Sequence, residues 1–439
     1  MSGCGFAELE EEASETDERQ PLSQRKSRDD KEAWLSFSWS MVGPGLLCCL
    51  ADTDAGCLLV AAQSGARWGY RLLPLQVVLI PVLFMAQELT VRLGVFTKQG
   101  HSACIRQHFG PGWCWFATVL LVFECICAMV SEMSGVAAVG RLWGLEQIAS
   151  ILLSAALIVT AVVALNYKQI EVIGITLGLF ELTFVGTMAY YHPPLTDVIS
   201  GSLKMETDPE YLKLIAANIG AVIMPWMIYF QQSAVVARRL VTQKDLSNER
   251  GSTLLGSILT QLIMIGALVT LAAVHKTKKD LHSMTDIVVS LEPALGQDSA
   301  KILVSFAFLG GSLCAAFVVS LAATWAICEA AQMEDPGAIN ESPVKAPHFY
   351  ACFLAVVLAG IAILLGGVNV VKLNVMVELL DGVLMPVAVG FLYLLAISEA
   401  LPPESRVTGL YKWVLGVVFS LCALVSLTSA FAGMTEIAQ

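Results

Sequence analysis

Apolar runs follow one another along most of this chain of 439 residues, separated by short polar stretches. Many reach the roughly 20 residues that a helix needs to cross the hydrocarbon core of a bilayer. Only 14% of the residues are charged, compared with about 25% in a typical soluble domain. The period-two alternation of a membrane β-barrel does not occur. The sequence therefore predicts an all-α polytopic membrane protein with the lipid bilayer as its partner.

Other classes of protein lack support in the sequence. No basic patch of the kind that binds nucleic acid is present. The pattern GxxxxGK[ST], which would cradle a nucleotide's phosphates, does not occur either. None of the apolar runs carries the histidines that an embedded metallohydrolase would need, since all six histidines fall in predicted loops or at the ends of spans. We therefore expect neither an enzyme nor a nucleotide- or nucleic-acid-binding protein.

The apolar runs predict about eleven transmembrane helices connected mostly by short loops. They begin near Trp34, Tyr70, Trp113, Gln147, Val172, Leu212, Ser252, Ala300, Phe349, Val371 and Tyr411.

The segments outside these helices indicate orientation and organisation. Residues 1–33 contain ten acidic and five basic side chains and no apolar run, so we expect a disordered acidic tail. Lys and Arg are in moderate excess on the tail's side of the predicted spans, which places the N-terminus in the cytosol. We divide the rest into spans 1–5 (34–200), spans 6–10 (201–400), and an eleventh span with a short C-terminus (401–439).

Two predicted spans are interrupted at their middle. The first, WSMVGPGLLCCLADTDAGCLLVAAQ, contains Asp52, Asp54 and Gly56, and the sixth, AANIGAVIMPWMIYFQQSAVV, contains Gly220 and Pro225. Simple Gly/Pro kinks are one explanation. However, an acidic side chain at mid-membrane costs several kcal/mol of free energy unless it has a function or is paired with another group. Broken helices five spans apart are typical of an inverted five-plus-five repeat with its substrate site at the breaks. We favour such a site.

The interrupted spans also carry a family resemblance. DTDAGCLLVAAQSGARWGYRLL (52–73) is similar to the DPGNxxxxxxAGAxxGYxLL motif of the NRAMP divalent-metal transporters, and IGAVIMPW (219–226) is similar to their GAxxMPH. The likeness extends from about Val42 to the end of the tenth span. It implies a LeuT-type fold, a transported divalent metal ion and no resident cofactor. It also implies a set of metal ligands: Asp54, Cys57 at the family's Asn, the carbonyl of Ala221, the thioether of Met224, and Glu378 at the family's Gln.

The chain also departs from the family pattern. Trp226 and Gln231 stand where the family has histidines. Met129 replaces the first acid of the family's D-x-x-E pair, whose second acid is Glu132 here. The ninth span lacks the Arg that the family has there. These changes resemble the NRAMP-related magnesium transporters, which move hydrated Mg²⁺ without proton coupling. We therefore favour a secondary transporter that moves Mg²⁺ by alternating access without proton coupling. A proton-coupled Mn²⁺/Fe²⁺ symporter of the NRAMP type is the alternative.

A third interpretation is a transport-inactive NRAMP-like sensor or receptor. Such proteins attach a long soluble region, whereas this sequence ends soon after its eleventh span. We therefore expect a transporter.

The ligand types leave the choice of ion open. Two carboxylates, Asp54 and Glu378, together with carbonyl oxygens suit a hard ion such as Mg²⁺. The sulfur of Met224 favours a transition metal, whereas a protonated Cys57 thiol is a poor ligand.

The remaining polar residues of the spans receive other roles. We expect Asp52, Trp226 and Gln231 to line the pore or its vestibule. Glu124 and Glu132 form either a polar path or two separate hydrogen-bond networks. Glu88 and Arg92 have the i, i+4 spacing of an internal ion pair.

Overall fold

The structure is a computed structural model that describes residues 42–204, 206–274, 281, 283–366 and 370–437, with side chains throughout except at 370–380, 382 and 429–437. Within these residues every regular element is a helix. The α-helices are α1 (Pro44–Ala51), α2 (Ala55–Trp68), α3 (Leu73–Thr97), α4 (His101–Phe109), α5 (Pro111–Leu142), α6 (Gln147–Ala164), α7 (Tyr167–Gly178), α8 (Thr183–Tyr191), α9 (Leu195–Ser202), α10 (Pro209–Gly220), α11 (Pro225–Ala237), α12 (Gln243–Val274), α13 (Met284–Leu295), α14 (Gln297–Ala331), α15 (Pro347–Leu365), α16 (Val370–Ile397) and α17 (Gly409–Ile437). Short 3₁₀ turns occur at Gly69–Leu72, Leu179–Leu182 and Pro336–Asn340.

Nine helical segments of the described chain are long and apolar enough to cross a membrane. The longest, Ala55–Thr97, contains the end of the predicted first span and all of the second, and the shorter apolar helix Val383–Ile397 belongs to the predicted tenth. The all-α, multi-pass architecture is thereby confirmed, while the number of eleven spans stays a prediction. The repeat boundaries also stay a prediction, and the tail at 1–33 lies outside the described residues.

Helix α14 lies at the centre of the bundle. Nearly all of its residues from Gly310 onward are buried, and it packs along most of the length of α5. Its inner stretch is rich in Gly, Ala, Ser and Cys. Small side chains let membrane helices approach closely, because packing rather than a hydrophobic effect holds such helices together.

The contact between α2 and α12 depends on a glycine. A Cβ atom at Gly65 would lie 2.8 Å from the carbonyl carbon of Leu268, which is a backbone atom that cannot move aside. The missing side chain thus lets α2 pack directly against α12. Together with the contacts of α12 with α1 and α3, this fixes α12 as the support for both halves of the first interrupted helix.

Candidate functional site

The first helix is interrupted at three residues, 52–54. Helix α1 ends at Ala51 and α2 begins at Ala55, with Asp54 in extended conformation as its N-cap. Oδ1 of Asp54 accepts a hydrogen bond of 2.8 Å from the backbone N–H of Cys57. Asp is among the residues preferred at this position because its carboxylate satisfies a free amide. The predicted break is confirmed, and it places a carboxylate at the positive end of the α2 dipole.

The second interruption separates α10 from α11. Helix α10 ends at Gly220, and α11 begins at Pro225. Met224 has φ −84° and ψ 141°, the extended conformation that a following proline imposes on the residue before it. Proline is also suited to the first helical position, where no amide hydrogen is needed. The predicted break in the sixth span is therefore confirmed as well.

The two interruptions are in contact with each other. The thiol of Cys57 lies 3.6 Å from the carbonyl oxygen of Ala221 and donates a weak hydrogen bond to it. A cavity of about 140 Å³ opens between the breaks, which is enough for an ion and several waters. Five of the predicted site residues line its wall: Asp54, Cys57, Ala221, Met224 and Trp226.

Two further acidic residues lie on the cavity wall. Glu132 on α5 accepts a hydrogen bond from the backbone N–H of Ala55, so its carboxylate joins Asp54 at the start of α2. Asp381 on α16 also lines the cavity. The family resemblance assigned Glu132 no place in the metal site and did not point to Asp381. The available signal for Asp381 was an acid inside an apolar span, three residues after Glu378 and so close to the same helix face.

The side chain of Glu378 lies outside the described residues, so its predicted role as a ligand stays a prediction. Its backbone belongs to α16, the helix that carries Asp381.

Asp52 and Gln231 do not line the cavity between the breaks, so their expected place along the pore or its vestibule stays a prediction. Asp52 caps the C-terminal end of α1, is 1% exposed, and has no hydrogen-bond partner for its carboxylate in the described chain. Gln231 follows Trp226 by five residues on α11, which turns it to another face of that helix. Its Nε2 donates a hydrogen bond of 2.9 Å to Oγ1 of Thr253 on α12.

The donor set of the cavity is mixed. The described residues contain no group of three or more His, Cys, Asp and Glu side chains close enough to hold a metal ion. An ion between the breaks would therefore use the carboxylate of Asp54, the carbonyl of Ala221, the thioether of Met224 and water. Because the Cys57 thiol already donates to Ala221, it is the weakest candidate.

Comparison with known proteins adds to this geometry. The model of the family described as "Natural resistance-associated macrophage protein-like", Nramp, matches residues 45–432. The chain belongs to the Nramp family. Among its relatives, the divalent metal cation transporter MntH of Ralstonia nicotianae is 25% identical over 409 residues, which cover 89% of this chain and 91% of that protein. MntH 1 of Pseudomonas aeruginosa is 28% identical over 302 residues, which cover 64% of this chain and 67% of that protein.

Solved structures share the fold. A single-residue variant of the Eremococcus coleocola manganese transporter superposes with a TM-score of 0.72 at 16% identity, covering 92% of this chain and 88% of that one. The transporter MhsT in complex with L-phenylalanine superposes with a TM-score of 0.59 at 13% identity, covering 89% and 98%. These likenesses confirm the LeuT-type fold. Since Nramp proteins are membrane transporters, the prediction that the chain is not an enzyme is also confirmed.

Proposed function

We propose that this Nramp protein is a secondary transporter that moves a divalent metal cation across a membrane by alternating access. The observation that supports the proposal best is the cavity between the two helix breaks, with Asp54, the Ala221 carbonyl and Met224 on its wall. Interrupted helices at the middle of a membrane bundle expose backbone carbonyls and half-helix ends, which are suited to binding an ion that must later be released. The relatives named as divalent metal cation transporters support the same function.

For the ion, we propose Mn²⁺, with Fe²⁺ as a second cargo. Met224 contributes a thioether to the cavity wall, and soft sulfur favours transition metals over Mg²⁺. The relatives are named for divalent metals or manganese, and none of those reported above is named for magnesium. The expectation of Mg²⁺ transport therefore has less support than the Mn²⁺/Fe²⁺ alternative.

The test uses the full chain purified into liposomes that contain dyes for Mn²⁺ and Mg²⁺. We expect Mn²⁺ to enter faster than Mg²⁺ at equal concentrations and external Fe²⁺ to compete with it. Faster entry of Mg²⁺ would overturn the choice of ion and restore the expectation from the sequence. Binding of Mn²⁺ without uptake of either ion would support the sensor interpretation instead.

A further inference from the structure

An apolar groove of about 540 Å³ lies on the surface of the bundle, between α6 and α14. Both helices pack on α5, whose Val136 and Val139 are buried and form the floor of this α6–α14 groove. Large exposed apolar side chains form its two sides: Leu153 and Leu157 on α6, and Ile302 and Phe306 on α14. Because all three helices are long and apolar enough to cross a membrane, the groove faces the hydrocarbon of the bilayer.

The hydroxyl groups that line the α6–α14 groove are engaged within the protein. Ser150 donates a hydrogen bond of 3.0 Å to the carbonyl oxygen of Glu146, and Ser154 donates one of 2.9 Å to that of Ser150. Oγ of Ser305 accepts a hydrogen bond of 2.9 Å from Nε1 of Trp143. A polar ligand would therefore find few free partners here. An acyl chain needs none, since lipid tails are as apolar as the leucines of the wall.

The length of the groove matches one leaflet of a bilayer. On α14 its lining residues run from Ile302 to Leu313, a rise of roughly 16 Å at 1.5 Å per residue. The hydrocarbon core of a typical bilayer is roughly 30 Å thick, so one leaflet contributes about half of that. The groove thus spans about the depth that one acyl chain occupies.

One end of the groove lies at the membrane edge. Trp143 and Leu145, in the turn between α5 and α6, line this end. A turn exposes backbone groups that hydrocarbon cannot satisfy, and Trp is enriched where the membrane meets water. The opposite end, at Val136 and Leu313, is therefore the one that lies deeper in the bilayer.

A cation stands at the membrane-edge end. Nζ of Lys301 lies 4.4 Å from the centroid of the Trp143 ring, a cation–π contact that positions the ammonium without neutralising its charge. None of the ion pairs within the described chain includes Lys301, nor the acids nearest to Trp143 and Lys301 in sequence, Glu146 and Asp298. The ammonium is thus available to an anionic group at the interface.

We propose that the α6–α14 groove binds an acyl chain of an anionic phospholipid whose phosphate contacts the ammonium of Lys301. A neutral hydrocarbon would fill the groove without using the charge, and a soluble anion would reach Lys301 without using the apolar wall. A phospholipid with a net negative charge satisfies both, with its headgroup beside Trp143 and its chain directed toward Leu313. The proposal does not depend on which ion the protein transports.

Two substitutions separate the chain from the headgroup. Leu153→Trp places a larger side chain in the groove, and Leu152→Trp is its matched control, because Leu152 is on the same helix, is 51% exposed compared with 69% for Leu153, and does not line the groove. Lys301→Gln removes the charge. Lys412→Gln is the control for that change, since Lys412 lies in the first turn of α17, outside the groove.

The experiment uses phosphatidylglycerol and phosphatidylcholine probes that carry the same diazirine-bearing acyl chain. Each probe is added in trace amount to phosphatidylcholine liposomes that contain the full chain, and after irradiation mass spectrometry locates and counts the labelled residues. We expect the phosphatidylglycerol probe to label the groove about fivefold more than the phosphatidylcholine probe, the factor that corresponds to about 1 kcal/mol for one Lys at an anionic interface. Leu354 and Leu358, which are exposed on α15 outside the groove, should be labelled equally by both probes.

The variants determine whether the excess labelling belongs to this site. Leu153→Trp should abolish the excess of phosphatidylglycerol labelling in the groove, and Leu152→Trp should keep it. In Lys301→Gln both probes should label the groove equally, whereas Lys412→Gln should resemble the wild type. Equal or weaker labelling by the phosphatidylglycerol probe in the wild type would show that the groove holds neutral lipid and would overturn the proposal. An excess that persists in Leu153→Trp or in Lys301→Gln would overturn it as well.

Discussion

The backbone N–H of Gly45 donates a hydrogen bond of 2.5 Å to Oε1 of Glu249, which joins the first turn of α1 to α12. The next amide, that of Leu46, donates to Oγ of Ser252 at 3.1 Å. The N-cap of α1 is Gly43, which provides no side chain to satisfy these amides. The free N–H groups at the start of α1 are thus capped from another helix. Because Glu249 is buried, α1 can leave α12 only by breaking this buried hydrogen bond.

Removing this contact should loosen α1. In Glu249→Ala the Gly45 amide loses its acceptor, which costs the closed arrangement about 1–3 kcal/mol. Cys49 of α1 is a suitable reporter, because it is 0% exposed and its Sγ lies 3.8 Å from Oγ of Ser257 on α12. In a chain whose only cysteine is Cys49, we expect maleimide labelling to be faster by about ten- to hundredfold.

The control for this measurement is a chain whose only cysteine is Cys125, which is buried on α5. Its labelling rate should not change with Glu249→Ala. Faster labelling of both Cys49 and Cys125 would show that the substitution had unfolded the protein. An unchanged labelling rate for both would show that Glu249 does not hold α1 in place.

Asp54 has two roles that substitution can separate. Asp54→Ala removes the charge from the cavity and also the N-cap of α2, which costs about 1 kcal/mol of stability. Asp54→Asn removes the charge and keeps an equally good cap. We expect both variants to lose Mn²⁺ uptake in liposomes and only Asp54→Ala to lower the melting temperature. Uptake near the wild-type rate in Asp54→Asn would remove the carboxylate from the metal site.

The features that the sequence predicted correctly are local ones. Asp54 with Gly56, and Gly220 with Pro225, are signals contained within a few positions, so the amino-acid pattern alone is enough to locate both helix breaks. Asp381, by contrast, matters because α16 brings it to Glu124 on α5 and to the cavity. That proximity arises from packing between segments distant in the sequence, which the pattern of one span does not contain.

The surroundings of Gln231 likewise depend on packing. Gln231 replaces a family histidine and was therefore expected to line the pore or its vestibule, and in the structure its side chain donates a hydrogen bond to Thr253 on α12.

Met224 should select for a soft ion. Met224→Leu removes the sulfur from the cavity wall and nearly conserves volume, a change that typically costs less than about 1.5 kcal/mol of stability. We expect it to weaken Mn²⁺ uptake more than Mg²⁺ uptake. Met227→Leu is the matched control, because Met227 is buried on the same helix and does not line the cavity. A larger loss for Mg²⁺ than for Mn²⁺ in Met224→Leu would contradict the proposed preference for Mn²⁺.

Glu88 should stabilise the fold rather than take part in transport. The predicted ion pair with Arg92 is confirmed at 2.8 Å, and the structure adds Arg250 of α12, whose Nη2 lies 2.6 Å from the same carboxylate. In Glu88→Ala two guanidinium groups lose their counter-ion. Glu88 is 3% exposed, but Arg250 is 38% exposed at its side chain and can turn toward water. We therefore expect a loss of about 3 kcal/mol, the lower end of the range for breaking a buried pair.

The matched control for Glu88→Ala is Glu341→Ala, which breaks the exposed pair between Glu341 and Lys345 at 3.2 Å. Solvent screening limits such a pair to about 1 kcal/mol or less, so this variant should unfold close to the wild type. Thermal unfolding in detergent, followed for both variants and the wild type, measures the difference. Equal melting temperatures for Glu88→Ala and Glu341→Ala would show that Arg92 and Arg250 find other partners, and that the three-residue contact between α3 and α12 does not hold these helices together.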